Sequence, residues 1–169
     1  MTERDRLDMA VRQLEFARQY TLSLIEDIEP AEWFQMPGGS VTHVAWQVAH
    51  LAMAEYGLCL YRARGRRTED LQLMSSDFRK RFSRGTVPNP DPTSNPTPDE
   101  IRTVLQAVHA QALLEMADYP DELLNEPVDM PYSVFPTKLG AILFCSAHEM
   151  LHAGQIGLLR RLLGKSPVR

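Results

Sequence analysis

The chain has 169 residues, of which 44 % are hydrophobic and 24 % charged, and its 18 basic and 22 acidic side chains give a net charge of −4 at pH 7. This composition is typical of a soluble globular protein of one domain, which we expect to span residues 1–169. The acidic balance argues against general nucleic-acid binding, which needs clustered positive charge.

The first predicted element is an amphipathic helix. Over residues 2–28, apolar side chains recur at helical spacing while charges fill the opposite face. Pro30 should end this helix, because the residue before a proline disfavours the helical conformation. The following residues 31–39 combine Trp33 and Phe34 with a Gly-Gly pair, which predicts a turn with two aromatic anchors.

A second helix is predicted from about Val41 to Arg62. Ser40 or Thr42 is a suitable N-cap residue, because its hydroxyl can accept from the first free backbone N–H groups. Glu55 is the only charged side chain in the first five turns of this helix. A helix that is apolar on nearly every side is a core helix rather than a surface helix.

The segment from Arg62 to Arg84 contains eight basic and three acidic side chains, and residues 70–82 within it are predicted to form a short helix. The segment could attract an anionic substrate. It could also be a solvated surface, with Arg62 and Arg64 complementing the negative end of the second helix, and we favour this interpretation. Five prolines among residues 88–98 then predict an extended connection.

Two more long helices complete the chain. The first is predicted at about 97–118, and the last at about 137–163, with Gly164 just beyond its end. A proline-punctuated loop, residues 125–136, lies between them. Four long helices and one short helix, with no strand pattern, predict an all-α four-helix bundle with long connecting loops.

The sequence also indicates a compartment. The first residues are charged, so no signal peptide is expected, and the most apolar stretch of the last helix is interrupted by polar side chains, so no membrane span is expected. The two cysteines lie far apart and form no C-x-x-C motif. These features favour a reducing cytoplasm.

Four of the five histidines lie on the two most apolar helices. His148 and His152 are four residues apart, so they project from one face of the last helix, as two imidazoles that bind one metal ion do. Without a partner, two buried imidazoles would cost several kcal/mol. His43 and His50 share a face of the second helix but are separated by roughly 10 Å of helical rise, so one of them could complete the site.

The pair also forms the H-E-x-x-H pattern of zinc metalloproteases, in which Glu149 would be the general base. No acidic residue follows Glu149 and no histidine follows His152, and Gln155 stands where the extended protease motif requires glycine. A protease-type site is therefore not expected, and the third ligand must come from upstream.

His50 is the expected third ligand and His43 is its competitor. If the second and last helices run parallel from the same end of the bundle, His50 lies at the same depth as His148, which leaves room above the metal for a substrate.

Three segments resemble the DinB/YfiT-like superfamily: Trp46-Gln47-Val48-Ala49-His50-Leu51, His148-Glu149-Met150-Leu151-His152-Ala153-Gly154-Gln155-Ile156 and Leu158-Leu159-Arg160-Arg161. The resemblance extends over nearly the whole chain. It implies a four-helix bundle and a three-histidine metal site that matches His50, His148 and His152. It also implies a divalent metal ion, often zinc or nickel, and in some relatives the transfer of a low-molecular-weight thiol.

Two classes of function follow. The first is a metal-dependent enzyme, a thiol transferase or a hydrolase acting on a small molecule, with an open coordination position lined by Tyr132, Phe135 or His43. The second is a non-catalytic bundle in which the metal has a structural or binding role. Glu149 and His43 are the candidate acid–base groups, although Glu149 could instead form a salt bridge in the bundle and His43 could simply mark the start of its helix.

Other polar residues have weaker assignments. Cys145 could be a fourth ligand but is more often a small core residue, and Cys59 should face away from the metal. Gln155 could orient a ligand histidine or bond across the bundle, and His109 should be structural or exposed. The uncharged helix faces make a homodimer plausible.

Overall fold

The computed structural model describes residues 1–129 and 133–168, and its regular structure there is helical. The helices are α1 Glu3–Ile25, α2 Val44–Glu55, α3 Arg62–Arg64, α4 Asp70–Leu73, α5 Ser76–Arg81, α6 Pro98–Ala117 and α7 Lys138–Leu162. A π-helical segment, Tyr56–Tyr61, joins α2 to α3. Within these described ranges, β-type pairing is limited to one bridge between Pro127 and Thr137. The predicted all-α bundle is confirmed.

Side-chain caps explain where the long helices begin. Thr2 and Thr97 each accept from a backbone N–H at the start of α1 and α6, and the acidic side chain three residues later accepts from the cap residue in return. Thr137 caps α7 by accepting from the N–H of Gly140. Gly164 follows α7 with a φ of 81°, the left-handed conformation that ends many helices.

Two predicted helix boundaries are wrong. The N-cap of α2 is His43 rather than Ser40 or Thr42, and its ring Nδ1 accepts from the Trp46 N–H at 3.1 Å. The predicted short helix over 70–82 is two helices, α4 and α5. It breaks because Met74 is extended (φ −154°, ψ 122°) and the next residue caps α5.

Polar contacts fix the relative directions of α1, α2 and α7. Arg18 of α1 bonds to Glu149 of α7, and further along both helices Leu24 accepts from Arg160, so α1 and α7 run parallel. Gln47 near the start of α2 bonds to His152 of α7, whereas Glu55 at the end of α2 shares Arg18 with Glu149, which precedes His152, so α2 runs antiparallel to α7. The assumption of parallel α2 and α7 is therefore wrong.

The core lies between these four helices and under the turn that precedes α2. Trp33 and Phe34 are buried there, as the aromatic turn predicts, and the Trp33 indole donates to the Ile28 carbonyl at 3.2 Å. Phe82, from the long connection between α2 and α6, is also fully buried. Of the helices that the structure describes, none combines the length and apolarity needed to cross a bilayer.

Candidate metal centre

Three histidines from two helices converge at one point. His50 comes from α2, and His148 and His152 come from adjacent turns of α7. One ring nitrogen of each lies within 4.8 Å of the other two. Four ligands around a zinc ion are about 3.4 Å apart, so small side-chain rotations would close the three rings onto one metal ion.

Two of these rings are held by their outer nitrogens. His50 Nδ1 donates to the Phe82 carbonyl at 2.7 Å, and His152 Nδ1 donates to Gln47 Oε1 at 2.5 Å. Both partners are oxygens that only accept, so Nδ1 carries the proton in each ring. The lone pair of each ring is then on Nε2, the arrangement that orients histidine ligands in metal sites.

Gln47 positions the ring of His152. It belongs to the motif around His50, but the sequence alone did not indicate this role. Its side chain is buried, and its Nε2 donates to Thr42 Oγ1 at 2.9 Å, which turns the amide oxygen towards His152. The available signal was a glutamine one turn before His50 in an otherwise apolar helix. Gln155, the residue proposed for this task, is exposed.

The environment keeps the three imidazoles neutral. Burial lowers the pKa of His50. Burial and repulsion from the neighbouring rings lower the pKa of His148 to about 4 and that of His152 to about 3. At neutral pH one nitrogen of each ring is therefore unprotonated and can bind a cation without first releasing a proton.

Aromatic rings surround the histidines. The Trp46 indole stacks on His50 with the ring centroids 4.7 Å apart and the planes 7° apart, and its N–H donates to Thr86 Oγ1 at 3.1 Å. Phe144 lies one turn before His148, with 5.8 Å between the ring centroids. These walls lower the local dielectric, which strengthens charge–ligand interactions at the cluster.

Glu149, a candidate acid–base group, forms a salt bridge with Arg18. Both of its carboxylate oxygens accept from Arg18, at 2.8 and 3.1 Å, and both side chains are buried. The same guanidinium bonds to Glu55 and to the Leu105 carbonyl. The geometry thus corresponds to the salt-bridge alternative, since Glu149 lies 100° around α7 from His148. His109 also belongs to this network, because its Nδ1 lies 2.7 Å from Glu55.

His43 is a structural residue in this geometry. It is fully buried, its Nδ1 caps α2, and its Nε2 donates to the Asn89 carbonyl at 2.9 Å. Both ring nitrogens are used, and burial lowers the pKa of the ring. His43 is absent from the three-histidine cluster, so the site as it stands does not include it as ligand or acid–base group.

The two cysteines are not part of the three-histidine cluster. Cys145 and Cys59 are buried free thiols in contact with each other, and this contact together with burial raises the pKa of Cys145. Cys145 is thus a core thiol rather than a fourth ligand. Phe135 packs on Gly140, two turns before His148. Tyr132 lies outside the described residues.

The basic segment is largely paired with its surroundings. Arg64 bonds to Asp70 and Glu115, and Arg62 donates to the Gly57 carbonyl near the end of the helix. Arg81 pairs with Asp77 on the surface. These contacts support the solvated-surface interpretation over that of an anion-binding patch.

The comparisons with known proteins give one family. No curated protein matches the chain. The model of the DinB superfamily matches residues 13–156, a range that contains all three clustered histidines and the four long helices apart from the ends of α1 and α7. Because this match covers most of the 169 residues, the chain belongs to the DinB superfamily.

Proposed function

We propose that the protein binds a divalent metal ion, zinc or nickel, through His50, His148 and His152, and that it acts as an enzyme on a small molecule. The convergence of three neutral imidazoles from two helices carries this proposal. Imidazole suits both zinc and nickel, and a three-histidine donor set is typical of sites that keep a position open for a further ligand.

A bound divalent metal would lower the pKa of a coordinated thiol or water, so that a nucleophile exists at neutral pH. The chain's own residues determine which nucleophile is favoured. Three uncharged imidazoles leave the full double positive charge at the site, which favours an anionic thiolate. The rings of Trp46 and Phe144 lie against His50 and His148 and give the site an apolar wall. Transfer of a low-molecular-weight thiol is therefore the preferred reaction class, and hydrolysis is the alternative.

A non-catalytic metal site is the second candidate, and one observation favours it. Both residues considered for acid–base work are bonded elsewhere, Glu149 to Arg18 and His43 to Asn89. An enzyme with this site must therefore rely on the metal-bound nucleophile and on groups of the substrate for proton transfer.

The test is the metal content and the ligand field of the purified protein. We expect one equivalent of zinc or nickel in the wild type, none in His50→Ala or His148→Ala after dialysis against a chelator, and full content in His43→Asn, in which the amide can still cap α2. In the cobalt-substituted wild type, added thiol should shift the visible spectrum.

Three results would contradict the proposal. Retention of metal by both alanine variants would place the site elsewhere. A spectrum that neither thiol nor any other exogenous ligand changes would indicate a closed site and favour the non-catalytic role. Loss of metal in His43→Asn alone would show that His43, and not the assigned histidines, binds the metal.

A further inference from the structure

Part of the connection between α5 and α6 runs along the first two turns of α2, beside the three-histidine cluster. We call this segment, residues 82–89, the strap. Three ring N–H groups of α2 donate hydrogen bonds to it: His50 Nδ1 to the Phe82 carbonyl (2.7 Å), Trp46 Nε1 to Thr86 Oγ1 (3.1 Å) and His43 Nε2 to the Asn89 carbonyl (2.9 Å).

The three bonds are in register. On α2 the donors are four and three residues apart, so they share one side of the helix, and the acceptors on the strap are also four and three residues apart. The strap therefore runs antiparallel to α2. Fully extended, its seven steps would span about 23 Å, whereas the donors that it follows span about 10 Å of helical rise. The strap must therefore fold back on itself between its ends.

A tight turn over residues 83–86 shortens the strap. The Thr86 N–H donates to the Ser83 carbonyl at 3.2 Å, and Thr86 Oγ1 donates to the same oxygen at 2.8 Å. Gly85 is the third residue of the turn and has a φ of 85°, a left-handed conformation that favours glycine. Because the Thr86 hydroxyl gives its proton to Ser83, its lone pairs are available to the Trp46 indole.

The strap acts on the cluster at two points. The Phe82 carbonyl holds the proton of His50 on Nδ1, which keeps the lone pair on Nε2. The Trp46 ring, which Thr86 holds, stacks on His50 and lies 6.5 Å from the His152 ring between centroids. Both the tautomer and the rotation of the His50 ring therefore depend on where the strap lies.

We propose that the strap is the positioning element of the metal site and that bound metal in turn orders the strap. This inference rests on the proposed function, because it takes the three clustered histidines as the metal ligands. A strap that favours the ligand orientation raises the metal affinity, so by linkage bound metal stabilises the strap by the same factor. Thr86 is accordingly a positioning residue, since it acts on the cluster through Trp46.

Two glycines provide a matched test. Gly85 (φ 85°) and Gly65 (φ 81°) are both exposed, and a methyl group at either meets no heavy atom within 4 Å beyond its chain neighbours. Alanine at either position therefore strains only the backbone of its turn. Both variants should lose similar stability in the metal-free form. Competition with a chromophoric chelator should show wild-type metal affinity in Gly65→Ala and a loss in Gly85→Ala of about 3- to 10-fold, less than the effect of a residue bonded directly to a ligand.

The Thr86 hydroxyl provides a second pair of variants, which also serves if Gly85→Ala fails to fold. Thr86→Ser keeps both hydrogen bonds and should bind metal as tightly as the wild type. Thr86→Val has the shape of threonine but removes the acceptor of the Trp46 N–H, so its affinity should fall as in Gly85→Ala. In the cobalt-substituted proteins, Thr86→Val should shift the visible bands and Thr86→Ser should not, a change in the ligand field that a loss of stability alone does not cause.

Hydrogen exchange measures the reverse effect. Backbone amides of the strap should exchange about 3- to 10-fold more slowly with zinc than without it in the wild type, and zinc should have no effect in His50→Ala. A wild type that binds metal would still overturn this inference if Gly85→Ala and Gly65→Ala had equal affinity, if Thr86→Val matched Thr86→Ser, or if zinc left the exchange of the strap unchanged. A wild type that binds no metal would overturn the proposed function as well.

Discussion

Arg18 joins the two helices that carry the clustered histidines through one guanidinium. It bonds to Glu55 of α2, five residues after His50, and to Glu149 of α7, the residue after His148. All three charged side chains are almost fully buried. Although α1 supplies none of the clustered histidines, it thus sets the distance between the two helices that do.

We expect Arg18→Met to lower the free energy of unfolding by roughly 3–5 kcal/mol, because it leaves two buried carboxylates without their cation. It should also weaken metal binding, since α2 and α7 lose their link beside the cluster. Urea unfolding and competition with a chromophoric chelator measure the two effects.

Leu14→Ala is the matched control for Arg18→Met. Leu14 is fully buried on the same helix, one turn away, and its truncation costs roughly 2–5 kcal/mol through a cavity. It should destabilise the protein to a similar extent yet leave the metal affinity of the folded protein unchanged. An equal loss of metal affinity in both variants would show that Arg18 contributes only to the overall stability of the fold.

The amide of Gln47 holds the outer nitrogen of His152, and this contact should tune the metal site. We expect Gln47→Leu to weaken metal binding by about 10- to 100-fold, the usual effect of losing such a partner. Gln47→Glu keeps the accepting oxygen and should retain most of the affinity. Gln155→Leu, at the exposed position, should have no effect on affinity, and a loss there as large as in Gln47→Leu would contradict the assignment.

The metal-free protein should lose stability as the pH falls from about 6.5 to about 4. The folded-state pKa values of His148 and His152, about 4 and about 3, lie below the ordinary value of 6.5. The unfolded chain therefore takes up protons first, so the stability is complete above pH 6.5 and declines below it. Urea unfolding in the presence of a chelator, at pH 8, 6 and 5, measures this decline.

Replacing both histidines with alanine should make the pH dependence in this range shallower without abolishing it, because His43 and His50, whose pKa values burial also lowers, still contribute there. The carboxylates with lowered pKa, such as Asp70 at about 2, titrate at lower pH and do not contribute there. A decline of the same size in the double variant would show that other groups cause it.

At the scale of the elements, the capping residues and the apolar periodicity were sufficient to predict the long helices from the sequence. Thr97 before Pro98 and Gly164 after α7 are local signals, and the helix ends lie where these residues place them. The second helix was less predictable because its cap is an imidazole rather than a hydroxyl. The nitrogen of His43 becomes an acceptor only when Asn89, 46 residues away, takes the proton of the other nitrogen.

The close approach of α7 to the preceding loop gives a prediction at this scale. A methyl group at Gly140 would lie 2.0 Å from the Phe135 carbonyl oxygen, so the backbone must move. We expect Gly140→Ala to lower the melting temperature. Gly157→Ala meets only an ordinary contact, 3.9 Å from a Leu24 methyl, and should raise it slightly, because alanine favours helix by about 1 kcal/mol over glycine. Equal effects of the two substitutions would contradict the steric argument.

At the scale of the whole molecule, the spacing of His148 and His152 was sufficient to predict the pair, because both lie on one helix. The structure brings His50 to the pair, while its role as the third ligand stays a prediction, and the depth argument behind that prediction assumed parallel helices, whereas α2 and α7 are antiparallel. The roles of Gln47, Arg18 and the Phe82 carbonyl depend on contacts between distant elements, which periodicity within one helix does not contain.

Metal removal should act on the molecule as a whole, because the cluster joins α2 to α7. A metal at about 1,000 times its dissociation constant would stabilise the folded state by about 4 kcal/mol. We therefore expect a chelator to lower the melting temperature of the wild type and to leave that of His50→Ala unchanged. An identical shift in both proteins would show that the chelator acts elsewhere.

The assembly of the three-histidine cluster from α2 and α7, which lie far apart in the sequence, also determines when during synthesis the cluster can exist. His50 belongs to the first third of the chain, while His148 and His152 belong to its last helix. A nascent chain, which is made at about 5–20 residues per second, therefore presents a single histidine of the cluster throughout the synthesis of the residues between His50 and His148. Ions encountered during this interval meet an isolated imidazole, so choice among metals waits until α7 packs against α2 and the three rings converge.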